Sequence, residues 1–146
     1  LIPYNPHSFV EDLYNIKKNY DFIIIDSPPL ISYETIQIVK NVDKIFIPVQ
    51  PSPLDLMATI PFLNVTRKER KLTTVILNRV LPRARLTYAM IMRLRYAGAK
   101  IARTRISSKV IYAETFSVGR GVVDISINSV SSKEIIAIGN EILRNF

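Results

Sequence analysis

Short β-branched runs alternate with helix-length amphipathic runs along this chain, and the alternation restricts the folds open to it. Because parallel strands need long crossover connections, this order predicts a layered α/β fold, a three-layer sandwich around a mostly parallel sheet. The four predicted strands span residues 21–26, 44–49, 73–78 and 101–106, the last being the weakest. We find no internal repeat or linker, so we expect residues 1–146 to form a single domain.

The first predicted strand ends in a carboxylate. Residues 21–26 read Asp-Phe-Ile-Ile-Ile-Asp, and a continuous apolar run is typical of a strand buried on both faces of a parallel sheet. Asp26 would then lie at the carboxyl edge, where α/β folds bind their ligands. A carboxylate at that position can hold Mg²⁺ or orient an attacking water, or it can simply accept backbone N–H bonds in a turn.

The intervening segments carry helix signals. Helices are predicted at 8–19, at 34–41, after Pro53 with a disturbance at Pro61, at 86–97 and at 132–145. In the last of these, Ser131 and Glu134 have the spacing of a capping box. The fourth has a left-handed terminus predicted at Gly98 and an apolar stripe consisting of Leu86, Met90, Leu94 and Ala97.

Charge is distributed unevenly. Residues 1–66 have a net charge of −3, whereas residues 67–146 have +11. No acidic residue occurs between Arg70 and Ala113, a stretch that carries eleven lysines and arginines. This pattern indicates a polyanionic partner bound through phosphate contacts, although a solvated basic face would produce the same composition.

Other residue counts exclude whole classes of function. The chain has no cysteine and one histidine, His7, which argues against a disulfide scaffold, a thiolate zinc site and a Ser-His-Asp triad. No apolar run approaches the roughly 20 residues of a membrane span, so we expect a cytoplasmic protein.

The strand and loop segments together resemble the ParA/MinD family of deviant P-loop ATPases, which segregate DNA or position the division machinery. The resemblance runs from Tyr20 onward and rests on the order and spacing of several segments. They are residues 20–29 (YDFIIIDSPP), 42–51 (VDKIFIPVQP), 75–80 (VILNRV), 106–114 (ISSKVIYAE) and 119–124 (GRGVVD).

The resemblance implies a role for particular residues. Asp26 corresponds to the Walker B aspartate near Mg²⁺ and the attacking water, while Ser27 and Pro28, with the next proline, begin the switch that responds to the γ-phosphate of ATP. Asn78 matches a position that approaches the adenine, and Arg79 lies beside it. Contacts with non-specific DNA are assigned to the basic second half, at Arg83, Arg85, Arg93, Arg95 and Lys109. A turn residue at Asn78 and a surface charge at Lys109 are equally open alternatives.

The sequence also departs from the family pattern. Its four glycines all lie late, and none forms the glycine-rich, lysine-bearing loop that cradles phosphates. Ser107 stands where the family has proline. We therefore expect a Rossmann-like P-loop sheet that is incomplete at the N-terminus, and a chain that alone neither binds ATP tightly nor hydrolyses it.

Three functions remain open at this stage. The chain is expected to be the C-terminal part of a ParA-like partitioning ATPase, paired with a separate N-terminal half or self-associated as a dimer. The alternatives are a non-catalytic DNA- or protein-binding module and a remnant of a split partition gene. The resemblance further implies a centromere-binding adaptor as partner, nucleoid association and no stable membrane anchor.

Overall fold

The computed structural model describes residues 8–28 and 30–144, and these divide into two compact units, 1–43 and 44–146. A single domain over residues 1–146 stays a prediction from the sequence. Pro29 and the predicted helix end at Asn145 lie outside the described residues.

The first unit contains two helices, α1 (Phe9–Ile16) and α2 (Tyr33–Asn41). Ser32 begins α2, and its side chain accepts a hydrogen bond from the Thr35 N–H at 3.3 Å. A small apolar cluster joins the two helices to the segment between them; it consists of Phe9, Leu13 and Ile38, with Ile23, Ile25 and Val42 packed against it.

The prediction of a doubly buried strand at 21–26 is wrong in this structure. Residues 22–28 have no regular secondary structure. Ile23 and Ile25 pack on the cluster, whereas Phe22 is 56% exposed and Ile24 is 95% exposed. A strand needs hydrogen-bonding neighbours on its edges, and no strand pairing in the described part of the chain includes this segment, which buries only one of its faces.

The second unit is built on a parallel sheet in the order β1 (Lys44–Val49), β2 (Leu72–Leu77) and β3 (Lys100–Ile101). β1 was predicted to the residue, β2 is displaced by one residue, and β3 begins one residue before its predicted range and shares only Ile101 with it. Pro48 lies in β1, which pairs only with β2 among the described residues. A proline is tolerated there because an edge strand need not donate from every N–H.

Helices cover both faces of this sheet. α3 (Pro53–Lys68) connects β1 to β2 and runs through Pro61, and α4 (Arg85–Tyr96) connects β2 to β3. Val75 and Leu77 of β2 pack in the core cluster that includes residues of these two helices, such as Leu63 and Leu94. Alternate side chains of a strand face opposite sides, which sends Ile76 to the other face of the sheet.

The second face is covered by α7 (Val130–Leu143), preceded by the short helices α5 (Ile111–Ser117) and α6 (Val122–Ile125). Ile76 packs there against a cluster containing Ile106 and the predicted α7 face of Ile135, Ile138 and Ile142. Within this unit the predicted three layers, helices on both sides of a parallel sheet, are therefore confirmed.

Sequence signals at the ends of two helices have different outcomes in the structure. Gly98 has φ +77°, and Ala99 donates to the Leu94 carbonyl at 2.9 Å, so the predicted left-handed terminus of α4 is confirmed. The capping box predicted at Ser131 is wrong, because Ser129 caps α7 by accepting from the Ser132 N–H at 3.1 Å. Glu134 is left available for other partners.

Candidate functional site

The carboxyl end of β2 leads into a loop, residues 78–84, that carries several of the predicted site residues. The Asn78 N–H donates to the Val49 carbonyl at the end of β1 (2.9 Å), and Asn78 Oδ1 accepts from the Arg79 N–H (2.9 Å). The amide side chain therefore makes a local turn contact. Because ligands of α/β folds bind beyond the carboxyl ends of their strands, this loop is placed where a ligand is expected.

Two arginines of this loop have left-handed backbones, Arg79 with φ +52° and Arg83 with φ +58°. Both side chains are exposed. Residues other than glycine rarely adopt this conformation, and it persists where surrounding contacts impose it. Two backbone hydrogen bonds fix the loop beside Arg79. The Val80 N–H donates to the Ile106 carbonyl, and the Ser108 N–H donates to the Val80 carbonyl, each at 2.9 Å.

The loop continues directly into α4, whose first turn has an unusual charge. Arg85 is the first residue of the helix; the first turn contains no acidic residue, and the N-cap Ala84 makes no side-chain cap. A helix N-terminus is already positive, so the arginines raise the local positive potential instead of balancing it. Arg93 and Arg95 continue the positive charge along α4 and are exposed, although two residues apart they face different sides of the helix.

We define the basic loop–helix surface as the exposed arginines of this region, namely Arg79, Arg83, Arg85, Arg93 and Arg95. Among residues 8–28 and 30–144, none of these five side chains has an acidic partner. This surface holds five of the eleven basic residues in the acid-free stretch between Arg70 and Ala113.

Lys109, the remaining predicted DNA contact, has a different environment. Its Nζ lies 3.1 Å from Glu134 Oε1 on α7, and the two side chains are 32% and 20% exposed. The same carboxylate accepts from the Ser107 N–H at 3.1 Å, from Ser107 Oγ at 2.6 Å and from the Tyr112 hydroxyl at 2.8 Å. Ser107 thus uses an N–H that a proline at this position would lack.

These contacts set the protonation of the network. Burial alone would raise the pKa of Glu134, but the hydrogen bonds from Ser107, Tyr112 and Lys109 outweigh it and hold the pKa below 4.5. Burial, together with the neighbouring Glu134 carboxylate, raises the pKa of Tyr112 to about 12. Glu134 is therefore charged and Tyr112 neutral at pH 7.

A second carboxylate on α7 binds the backbone a few residues before Ser107. Glu141 accepts from the N–H groups of Arg103 and Thr104 at 2.8 and 3.0 Å. Burial opposes ionisation of Glu141, yet these two backbone bonds lower its pKa. The sequence analysis does not predict the role of either carboxylate, because the partners of both lie more than twenty residues away along the chain. The only sequence signal is the spacing of Ser131 and Glu134, which is interpreted there as a capping box.

The predicted nucleotide-sensing residues lie in the first unit. Asp26, Ser27 and Pro28 are exposed in the irregular segment before α2. Within the described residues there is no group of three or more His, Cys, Asp or Glu side chains able to hold a metal. A single carboxylate beside a hydroxyl is still the donor set that suits Mg²⁺ carried by a nucleotide, because Mg²⁺ keeps several waters and takes few protein ligands.

Comparisons with known proteins agree with this architecture. A family model described as an AAA domain matches residues 4–81, just over half of the chain. Two curated relatives align with most of it: the maintenance of carboxysome distribution protein A of Halothiobacillus neapolitanus is 30% identical over 141 residues, 92% of this chain and 65% of the relative. The sporulation initiation inhibitor protein Soj of Bacillus subtilis is 28% identical over 138 residues, 89% of this chain and 54% of Soj.

Solved structures show the same fold. A ParA family ATPase from Chlorobium tepidum superposes with a TM-score of 0.77 at 21% identity, over 92% of this chain and 55% of that one. The cell division ATPase MinD of Pyrococcus furiosus gives 0.80 at 18% identity, over 97% and 60%. This chain spans between about half and two thirds of the length of these proteins. By its family match and its relatives, the chain belongs to the AAA-domain proteins of the ParA/MinD family.

Proposed function

We propose that this chain supplies the DNA-contacting surface and the Walker B carboxylate of a ParA-like positioning ATPase. The observation that carries the proposal is the basic loop–helix surface, where Arg83 and Arg85 add charge to a helix N-terminus that has neither acid nor side-chain cap. Such an arrangement is electrostatically unfavourable for the free protein and is relieved by phosphate groups.

The partner is DNA bound without sequence preference. Exposed arginines form bidentate bonds with phosphates, and a basic surface gains affinity by releasing counterions from the duplex. The curated relatives are named for carboxysome distribution and for inhibition of sporulation initiation. We infer that this chain likewise serves to position a cargo, with nucleoid DNA as its track in the cytoplasm and a centromere-binding adaptor, or the adaptor of another cargo, as partner.

Lys109 is a further proposed DNA contact, outside the basic loop–helix surface, and we expect it to contribute less. Its ammonium is compensated by Glu134, so a phosphate would have to compete with an existing ion pair. We expect Lys109→Gln to weaken DNA binding less than Arg83→Gln does.

Charge-neutralising variants test the DNA proposal. Combining Arg83→Gln with Arg85→Gln should reduce affinity for a random duplex about tenfold or more at low salt, since each lost phosphate contact removes counterion release. The matched control combines Lys17→Gln with Lys133→Gln, which removes the same charge from exposed positions outside the surface. Equal losses in the two double variants would show that only net charge matters and would refute a defined surface.

Nucleotide chemistry is the second part of the proposal. Asp26 and Ser27 are the residues that would hold Mg²⁺, which supplies charge neutralisation to a transferred phosphoryl group. Asn78 and Arg79 would contact the nucleotide, and Ser27 with Pro28 would form the start of the responsive switch. We propose that residues 1–146 lack enough phosphate contacts to bind ATP tightly alone, because each charge-assisted bond contributes about 1.5–3 kcal/mol.

Calorimetric titration with a non-hydrolysable ATP analogue and Mg²⁺ tests this part. The proposal predicts no binding at micromolar affinity for residues 1–146, and the same result for Asp26→Ala. Micromolar binding that disappears in Asp26→Ala would show that the chain builds a nucleotide site without the usual loop. That result would contradict the proposal that residues 1–146 bind ATP only weakly, and it would support the proposed role of Asp26.

A further inference from the structure

The N-terminal halves of α3 and α4 leave a small, partly open cavity between them, with a volume of about 170 Å³. A cavity of about 150 Å³ is known to admit a benzene ring, so this one is large enough for a leucine-sized side chain. Its lining, which we name the α3–α4 groove, consists of Ser52, Pro53, Leu56, Leu86, Ala89, Met90 and Arg93.

The groove exists because α4 carries two stripes. One stripe turns into the core and is buried, at Thr87, Met90, Ile91 and Leu94. The other, offset by one position, places Leu86, Ala89 and Arg93 at successive turns beside the cavity. Leu86 is 48% exposed, and Ala89 and Arg93 are exposed, so this second stripe, which is apolar at Leu86 and Ala89, is left unburied in the described part of the chain.

The charged side chain that lines the groove is positive. Arg93 lines it, and α4 contains no acidic residue in any of its turns. The neighbouring carboxylate, Asp55 of α3, is already used: it accepts from the Gln50 N–H at 2.9 Å and from Ser52 Oγ at 2.7 Å. An occupant that carries its own carboxylate would therefore find an uncompensated guanidinium at the groove.

We infer that the α3–α4 groove is a docking site for a short acidic segment of a partner protein. A leucine-sized side chain of that segment enters the groove against Leu56, Leu86 and Met90, and an adjacent carboxylate pairs with Arg93. A sugar–phosphate backbone offers charge but no side chain that fills an apolar cavity, so a peptide fits the combination better than DNA does. This site goes beyond the proposed DNA and nucleotide functions and does not depend on them, but it shares Arg93 with the basic loop–helix surface.

Three fluorescent peptides test the inference on residues 1–146 by anisotropy. The first is Glu-Leu-Glu-Glu-Leu-Leu-Glu, the second replaces each glutamate by lysine, and the third replaces each leucine by alanine. The first peptide should bind at least about tenfold more tightly than either of the others, because both the apolar anchor and the carboxylates are required. Equal binding of all three would overturn the inference.

Variants locate the binding to the groove. Ala89→Phe fills it from an exposed position and should weaken the first peptide about tenfold, and Arg93→Gln should weaken it about threefold to tenfold. Leu86→Asp is a second groove variant that repels the acidic peptide from a half-exposed position, in case Ala89→Phe disturbs folding. The matched controls are Ala113→Phe in α5 and Arg120→Gln between α5 and α6; both positions are exposed, do not line the groove, and should leave affinity within about twofold.

A DNA titration of the same variants separates the two surfaces. Ala89→Phe should leave affinity for a random duplex within about twofold, since it removes no charge. If Ala89→Phe weakens DNA binding as much as peptide binding, the groove is part of the DNA surface and the inference is wrong.

Discussion

Glu134 on α7 accepts hydrogen bonds from both the backbone N–H and the hydroxyl of Ser107, at 3.1 and 2.6 Å. This contact ties the outer helix to the segment that follows the sheet, and Val80 of the basic loop pairs with the same segment. The orientation of the proposed DNA surface thus rests on a carboxylate that lies on the opposite layer of the unit.

Removing that carboxylate should destabilise the unit. Glu134→Ala leaves the Ser107 N–H and the Lys109 ammonium without their acceptor, and we expect the free energy of unfolding to fall by about 2–3 kcal/mol. Denaturant unfolding measures the change. Lys133→Ala, at the adjacent exposed position, is the control and should alter stability by less than about 0.5 kcal/mol. Equal effects of the two substitutions would contradict this role of Glu134.

Acid should weaken the protein through the same network. The folded-state pKa values of Glu134 and Glu141 lie below their ordinary value of 4.5. Their stabilisation is therefore complete above pH 4.5 and is lost as the pH falls through the lower folded values. We expect the free energy of unfolding to decline in this window, and to decline less steeply in Glu134→Gln. An identical pH profile for that variant would show that Glu134 is not linked to folding.

Thr87 offers a stabilising substitution. Its side chain is 4% exposed, and Oγ1 has no hydrogen-bond partner among the described residues. Valine has nearly the same shape without the unsatisfied hydroxyl, so Thr87→Val should raise the free energy of unfolding by about 1 kcal/mol. A loss of stability would mean that the hydroxyl is satisfied in solution.

Two glycines should respond to alanine in opposite directions. Gly98 has φ +77°, and an added Cβ would lie 2.8 Å from Arg67 Nη2, which donates to the Ala97 carbonyl. Gly98→Ala should cost about 1–2 kcal/mol. Gly139, inside α7, has open space around an added Cβ, so Gly139→Ala should stabilise by about 0.5–1 kcal/mol. Thermal unfolding of the two variants checks the contrast, which would fail if both shifted the midpoint in the same direction.

Local sequence signals predicted much of the second unit. The β-branched run at 44–49 became β1, and the glycine after the apolar stripe of α4 ended that helix. The end of α4 depends on contacts within a few residues along the chain, whereas β1 also needs its pairing with β2, which begins 28 residues later. The parallel sheet and the three layers followed from the alternation of strands and helices.

The failures involve interactions that are distant in sequence. Residues 21–26 have the composition of a buried strand, but composition does not supply the pairing partners that a strand requires. Ser131 and Glu134 have capping-box spacing, yet Ser129 is the cap and Glu134 binds Ser107, 27 residues earlier. The α3–α4 groove depends on how two helices diverge, which the apolar pattern of either helix does not specify.

The salt dependence of binding to a random DNA duplex tests the central claim most directly. The basic loop–helix surface has five exposed arginines, and if about four of them neutralise phosphates, the logarithm of the affinity should fall against the logarithm of the salt concentration with a slope of about −3 to −4. In the Arg83→Gln, Arg85→Gln variant the slope should become shallower by about 2, while the Lys17→Gln, Lys133→Gln control keeps the original slope. A slope near zero, or one that changes equally in both variants, would contradict the claim that this surface binds DNA.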